Sequence, residues 1–487
     1  MPFEQTSILT LQKAQSVLAR LRNFRVPYDS TRDELYRHYV GRATASLYPD
    51  GKTQRSSIFV PYAFTNVEQI RASLFDIFFS VDPPMQVLPQ GARDEAASIA
   101  MQKVLELKSV KQAGLRSAAL EFFGGLCVYG FQAQHVGWNY DYTTVLQNQV
   151  TPQTYPDGTP VINPTTGQPN LLIQKVPVKV PRACPKYQNI DIYDLYVDPD
   201  GAYVARMFNK TMQQILREQE LYPEMYDGDT VRQLQNHVAS RGPENADSTI
   251  QIAEIWDSLN GTFTWHTCEE DRTALSFKDK RYANRSAIYS SYRRATAEAP
   301  PMLLSKGAEL NPYNHCRVPI LYCNYTQLPG EIFGIGPVES SYPLNEGINR
   351  FVNMIADKWD QGINQRFAYD NTRDINFDEL LNANIPGGLV GVAGNPANIL
   401  MEMPNHTPTA GDYSIIPLFK QEIENVTGKS DFYSRGVGSS GGNDTASGIQ
   451  SVIQQSNKRD VLLALTLEES YFGPLLTMDA SNTQPFI

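Results

Sequence analysis

Histidine and cysteine are where metal or nucleophilic chemistry would start in this chain. His266, Cys268, His315, Cys316 and Cys323 could be gathered into a zinc site, but none stands in C-x-x-C or H-x-x-x-H spacing. His38, His135, His237 and His406 are isolated and read as surface or packing residues. No G-x-S-x-G nucleophile elbow occurs. Asp198 and Asp200 flank Pro199 and precede Gly201, which fits a turn better than two opposed carboxylates. Met401-Glu402-Met403 reads as strand rather than ligand set. The glycines at 436–442 lack the following Lys of a phosphate loop and do not sit between a strand and a helix in a βαβ unit. No residue set specifies an enzyme, and none calls for a cofactor or a metal.

One cluster of charge stands out. Arg272, Lys278, Lys280, Arg281, Arg285, Arg293 and Arg294 are interleaved with Tyr282, Tyr289 and Tyr292. A solvated loop and a surface for nucleic acid or an acidic neighbour both fit that pattern.

The chain as a whole has 487 residues and a net charge of −10. That balance argues against tight, sequence-independent DNA binding through a basic surface, without excluding a protein past which DNA slides. No apolar run reaches the length of a membrane span, and the first residues are not a signal peptide. Five cysteines are too few, and odd in number, for a disulfide framework, so a reducing cytoplasm is the expected setting.

The elements follow from periodicity. Helices are expected at Ser7–Leu21, at the capping box Thr65-Asn66-Val67-Glu68 up to Asp82-Pro83-Pro84, from Asp94 to about Leu126, and at Met207–Gln219. Residues 28–60 read as a loop-rich connection, and Cys127–Trp138 as strand. Residues 139–187 read as an extended excursion with a tight turn at Asp157-Gly158. Its return passes Val176, Val178 and Val180, where Pro177 restricts it to a sheet edge. Ile250–Trp256 and Thr262–His266 form a hairpin around Asn260-Gly261, and Val318–Tyr325 is a strand.

The stretch that organises the rest begins at Phe333-Gly334-Ile335-Gly336-Pro337. Leu344, Ile348, Phe351, Ile355 and Trp359 fall on one helical stripe. Asn345, Glu346, Asn349, Arg350, Asn353, Asp357 and Asp360 lie opposite, on a side expected to meet water or a hydrated partner. A turn and short strand at 385–392 with Ile399–Met403 as partner, and a second helix with Pro417 in its first turn, come next. A Gly/Ser-rich loop at 435–444 and a third helix over Ile449–Leu467 complete the order, and Ala480–Ile487 reads as a frayed tail.

Taken in order, these pieces resemble the portal (head-to-tail connector) proteins of tailed bacteriophages, those of short-tailed phages in particular. The motifs are Arg55–Pro61 with the helix that follows, Val81-Asp82-Pro83-Pro84, Gly125–Gly130 leading to Trp138, Ile190–Pro199, Phe333–Pro337, and Asp444–Ile449. The likeness covers about residues 30–475. It implies an α+β, portal-type fold with a mixed wing, paired stem helices, a small α/β clip and a long C-terminal helix. It places the wing at 1–336, the first stem helix at 337–365, the clip at 366–411 and the second stem helix at 412–430. The tunnel loop would be 431–444, and 445–487 a helix returning to the wing with a minimal crown.

The function so implied is a homo-oligomeric ring, dodecameric as a rule, at one capsid vertex of the virion, assembled in the host cytoplasm. Double-stranded DNA would pass through its channel during packaging and ejection. The terminase large subunit, a tail adaptor, and the major capsid and scaffolding proteins would be its partners, with no membrane. Arg435, Gly436, Val437, Gly438, Ser439, Ser440, Gly441, Gly442 and Asn443 would form the tunnel loop. Glu346, Arg350, Asp357 and Asp360 would line the channel, and Arg373, Asp374, Asp378 and Glu379 would make clip contacts. An acid-rich wall repeated around a ring would resist DNA adhesion, and Arg435 offers a movable phosphate contact. A capsid-associated scaffold or adaptor without a channel is the alternative.

Overall fold

A computed structural model describes residues 10–41, 56, 58–89, 91, 94–152, 171–221, 223, 225–240, 249–267, 302–305, 309–363, 367–369, 400–402, 408–428 and 459–483. The fold is mixed α+β. Its chain contacts divide it into two units, Met1–Thr31 with Arg71–Ile335 and Asp460–Ile487, and Arg32–Ile70 with Gly336–Arg459. The division falls at Ile335/Gly336 and assigns 32–70 to the second unit.

The first unit is built on two antiparallel sheets. Strand β1 (Phe131–Pro152) pairs along its length with β2 (Leu171–Ile190) in a long hairpin, and its first residues also pair with β8 (Ile320–Asn324). The order β2-β1-β8 leaves β2 at an edge, which is what Pro177 requires because it cannot donate to a ladder. The second sheet has the order β3-β4-β5-β6-β7, with β3 Leu195–Val197, β4 Tyr203–Thr211, β5 Thr249–Asp257, β6 Thr262–Thr267 and β7 Glu309–Leu310. The β5–β6 hairpin is the one expected, turning at Gly261 with φ +62°. Asp198–Gly201 is likewise a turn, closed by the Gly201 amide donating to the Asp198 carbonyl at 2.9 Å.

Several boundaries differ from expectation. Helix α1 runs Leu11–Val40, straight through Pro27 and through residues 28–40 of the stretch expected to be loop. Tertiary contacts hold it there. Ala14, Val17, Leu18 and Leu21 bury against Ala205, Ala253 and Ile255 of the second sheet. Around the proline, Phe24 and Tyr28 pack on Phe333, and Arg25 lies 4.1 Å above the Tyr196 ring while donating to the Tyr193 carbonyl. Helix α2 (Tyr62–Phe79) starts three residues before the expected cap, so the Thr65 hydroxyl back-bonds to the Pro61 carbonyl instead of capping. It does stop before the prolines.

The single long helix expected from Asp94 is three pieces: α3 (Glu95–Leu105), a π-helical stretch (Glu106–Gln112) and α4 (Leu115–Tyr129). Gly114, at φ +72°, makes the break. Helix α4 absorbs Cys127–Tyr129, expected as strand, because Phe122, Phe123, Leu126 and Cys127 are all fully buried. Strand β4 takes residues to Thr211, and α5 (Met212–Leu221) begins behind a Thr-x-x-Gln capping box. Thr211 Oγ1 accepts from the Gln214 amide at 3.3 Å and Gln214 Oε1 from the Thr211 amide at 3.0 Å. Helix α6 spans Gly228–Ser240.

Residues 480–483, expected to begin a frayed tail, are helical, and 484–487 lie outside the described residues. Residues 459–467 are helical, a π turn follows at Glu468–Phe472, and the chain continues as a helix over Gly473–Thr483. Tyr471 stacks on Phe122 at 4.0 Å and donates to Gln134 Oε1, while Leu467, Leu475 and Met478 are core residues. No helix among the described residues is long and apolar enough to cross a membrane.

Candidate functional site

The site indicated by sequence is the helix pair of the second unit. Its lead-in is set by Gly334, where a Cβ would lie 2.5 Å from the Thr326 carbonyl oxygen. Asn324 Oδ1 accepts from the Gly334 amide, and the Ile335 amide donates to Thr326. Helix α7 (Pro337–Ile363) follows with proline at its first position, where no amide partner is lost.

Helix α8 (Ala410–Thr427) runs antiparallel to α7. Lys358 pairs with Asp412 at 3.0 Å, the Trp359 indole donates to the Tyr413 hydroxyl, and Phe351 meets Phe419 at 5.6 Å. Gly347 lets the Phe419 ring close on the α7 backbone, since a Cβ there would stand 3.3 Å from it. Ile348, Ile355 and Ile423 bury in the same seam. Pro417 lies inside α8 and not in its first turn. The helix starts earlier, at Thr409, whose amide donates to Asp412 Oδ2 at 2.9 Å. Between the helices β9 (Phe367–Tyr369) pairs antiparallel with β10 (Leu400–Glu402). Ile399–Met403 is therefore strand at its centre, partnered by 367–369.

The opposite side of α7 differs most from its sequence reading. Asn345, Asn349 and Asn353 are buried rather than facing water. Asn345 donates within the helix to the Ser341 hydroxyl at 3.5 Å, whereas Asn349, Asn353 and Asp357 form a ladder of period four that grips the extended segment before α2. Asn349 Oδ1 accepts from the Val60 amide at 2.7 Å and Asn353 Oδ1 from the Ile58 amide at 2.7 Å. Asn353 Nδ2 also donates to the Ile58 carbonyl at 3.0 Å, and the Ser56 hydroxyl donates to Asp357 at 2.6 Å. The Asn353 side-chain amide thus satisfies residue 58 as a neighbouring strand would. Beside the ladder, His38 packs on Tyr342 at 4.3 Å and on Phe59 at 5.9 Å, and burial lowers the His38 pKa to about 4. Burial, with Glu346 and Glu34 nearby, raises the Tyr342 hydroxyl to about 12.

Of the residues expected to line a channel, Arg350 is exposed, and Glu346, Asp357 and Asp360 are half-buried. Asp357 is held by Ser56. Arg373, Asp374, Asp378 and Glu379, the loop Arg435–Asn443, the strand at 385–392, the turn at Asp157-Gly158, the basic stretch 272–294, Cys268, His406 and Ile449–Lys458 lie outside the described residues. The sequence reading missed the ladder, although its signal was present. Asparagine is a poor helix former, and three at i, i+4, i+8 on one face call for partners.

The helix pair leaves large apolar side chains uncovered: Trp359 is 50% exposed, Leu418 59% and Ile363 74%. Elsewhere, three of the residues weighed as zinc ligands, His266, His315 and Cys323, are engaged in packing or hydrogen bonding, and Cys316 is exposed. His266 is buried on β6, and His315 stacks on Tyr313 at 5.3 Å and accepts from the Arg317 amide. Cys323 takes the Ser470 hydroxyl. Among the described residues no group of three His, Cys, Asp or Glu is placed to hold a metal. A scan against models of known protein families and a search of curated proteins both find no match.

Proposed function

We propose that this chain is the subunit of a portal ring through which double-stranded DNA enters and leaves a phage capsid. In this reading α7 and α8 are the stem, the segment carrying β9 and β10 is the clip that meets terminase and then the tail adaptor, and the Gly/Ser-rich stretch after α8 approaches DNA. The observation that carries the reading is the antiparallel α7–α8 pair joined through a small β-module, with Trp359, Ile363 and Leu418 uncovered on it. A neighbouring copy in a ring would cover such residues at a heterologous interface.

The test is electron microscopy of the purified chain, alone and co-expressed with capsid and scaffolding proteins. Closed rings with a duplex-wide channel are expected in top views. Particles that stay ringless in both preparations would replace this reading with that of a scaffold or adaptor.

A further inference from the structure

The first unit contains a cleft of about 400 Å³, large enough for a small organic molecule. Its walls come from the start of the β1–β2 hairpin, the faces of β4, β5 and β6, helix α5, residues 312–314 and Asn482.

The floor is rigid and aromatic. Glu254, 2% exposed, accepts two bonds from Arg206 at 3.0 Å, one from the Trp256 indole at 2.6 Å and one from the Trp265 indole at 2.9 Å. Four donors saturate the carboxylate, so it is a support for the rings and not a group left for a ligand. Phe263 packs on both indoles, at 4.7 and 5.2 Å. Burial would push the Glu254 carboxyl up, but Arg206 and its other partners outweigh it and hold it at about 2.

The walls leave donors unused. Asn482 is 5% exposed and its Oδ1 is taken by the Asn314 amide, which leaves Nδ2 without a partner. His135, also 5% exposed, has no partner for Nδ1. Lys186 is exposed in the cleft wall and makes no ion pair among the described residues. The other two cations are committed, Arg206 to Glu254 and Lys210 to Glu218. Three cations against two carboxylates, with His135 kept neutral by burial and by Arg206, leave a single positive charge.

We propose that this cleft binds a small aromatic carboxylate. Its ring would pack on Trp265, the half-exposed part of the floor, and its oxygens would pair with Lys186, the accessible cation of the wall. One surplus charge matches a monoanion, whereas a phosphate monoester would leave the enclosed site negative. The cleft belongs to the first unit and the helix pair to the second, so the failure of this proposal would leave the ring reading untouched.

Isothermal titration of the full chain with benzoate tests it. Saturable binding with Kd below about 1 mM is expected. Lys186→Gln, a change at an exposed position, should weaken benzoate about tenfold, and benzyl alcohol should bind the unaltered chain weakly by a similar factor. No saturable heat, equal binding of benzyl alcohol, or full affinity in K186Q would each overturn the proposal.

Discussion

Asp479 is a buried acid with too few partners. Its Oδ2 accepts from the Ser109 hydroxyl at 2.8 Å and from Tyr187, and its Oδ1 has no partner. Burial raises its pKa from 3.8 to about 7, against the two hydrogen bonds that favour the anion. The unfolded chain releases this proton near 3.8 and the native state only near 7. Stability is therefore full below the lower value, falls as pH rises between the two, and levels off above the higher one. The slope between them is about 1.4 kcal/mol for each pH step of one. Asp479→Asn removes the cost. Its Tm should exceed that of the unaltered protein at about pH 8 and converge with it near about pH 4, and a gap independent of pH would refute the assignment. Asn353→Ala should cost about 1–2 kcal/mol in urea unfolding and speed hydrogen exchange of the Ile58 amide. Neither partner is legible in the sequence. Ser109 is 370 residues from Asp479 in the chain and Ile58 is 295 from Asn353, and no local pattern encodes such partners.

At the scale of elements, the sequence was clear where a local rule met no tertiary rival. Asn260-Gly261 between alternating strands gave the β5–β6 hairpin, and the four-three-four-four steps of α7 gave a helix of nearly the expected length. It failed where packing overrode propensity, at Pro27 in α1 and Pro417 in α8. It failed again where one glycine outweighed good helix formers, at Gly114. The candidate site was half legible. Its seam of Ile348, Phe351 and Ile355 follows from periodicity, whereas its asparagine face depends on a distant segment. That ladder also has a geometric limit. Four helical residues rise about 6.0 Å and two extended ones about 6.6 Å, so rungs stay aligned for only a few steps. Three are seen, at Val60–Asn349, Ile58–Asn353 and Ser56–Asp357. At the α7 lead-in, Gly334→Ala would drive a Cβ into backbone, and should cost at least about 2 kcal/mol in denaturant unfolding with α7 itself intact by circular dichroism.

At the scale of the molecule, the ring reading makes a separate demand on the uncovered side chains of α7 and α8. Leu418→Glu should leave monomer stability within about 0.5 kcal/mol, because the side chain is 59% exposed, yet abolish rings in micrographs. Rings persisting in that variant would move the subunit interface elsewhere. The two units have a consequence for synthesis as well. The chain passes between them at 31/32, 70/71, 335/336 and 459/460, twice in mid-helix, within α1 and α2. The core of the first unit lacks Leu467, Tyr471, Leu475 and Met478 until the last segment is made. A ribosome working from the N-terminus therefore exposes Phe122 and the first sheet long before residues 467–478 are made to cover them. Phe122 waits for Tyr471 while all the residues between them are made, an interval in which net negative charge helps to hold exposed apolar surface apart from its neighbours.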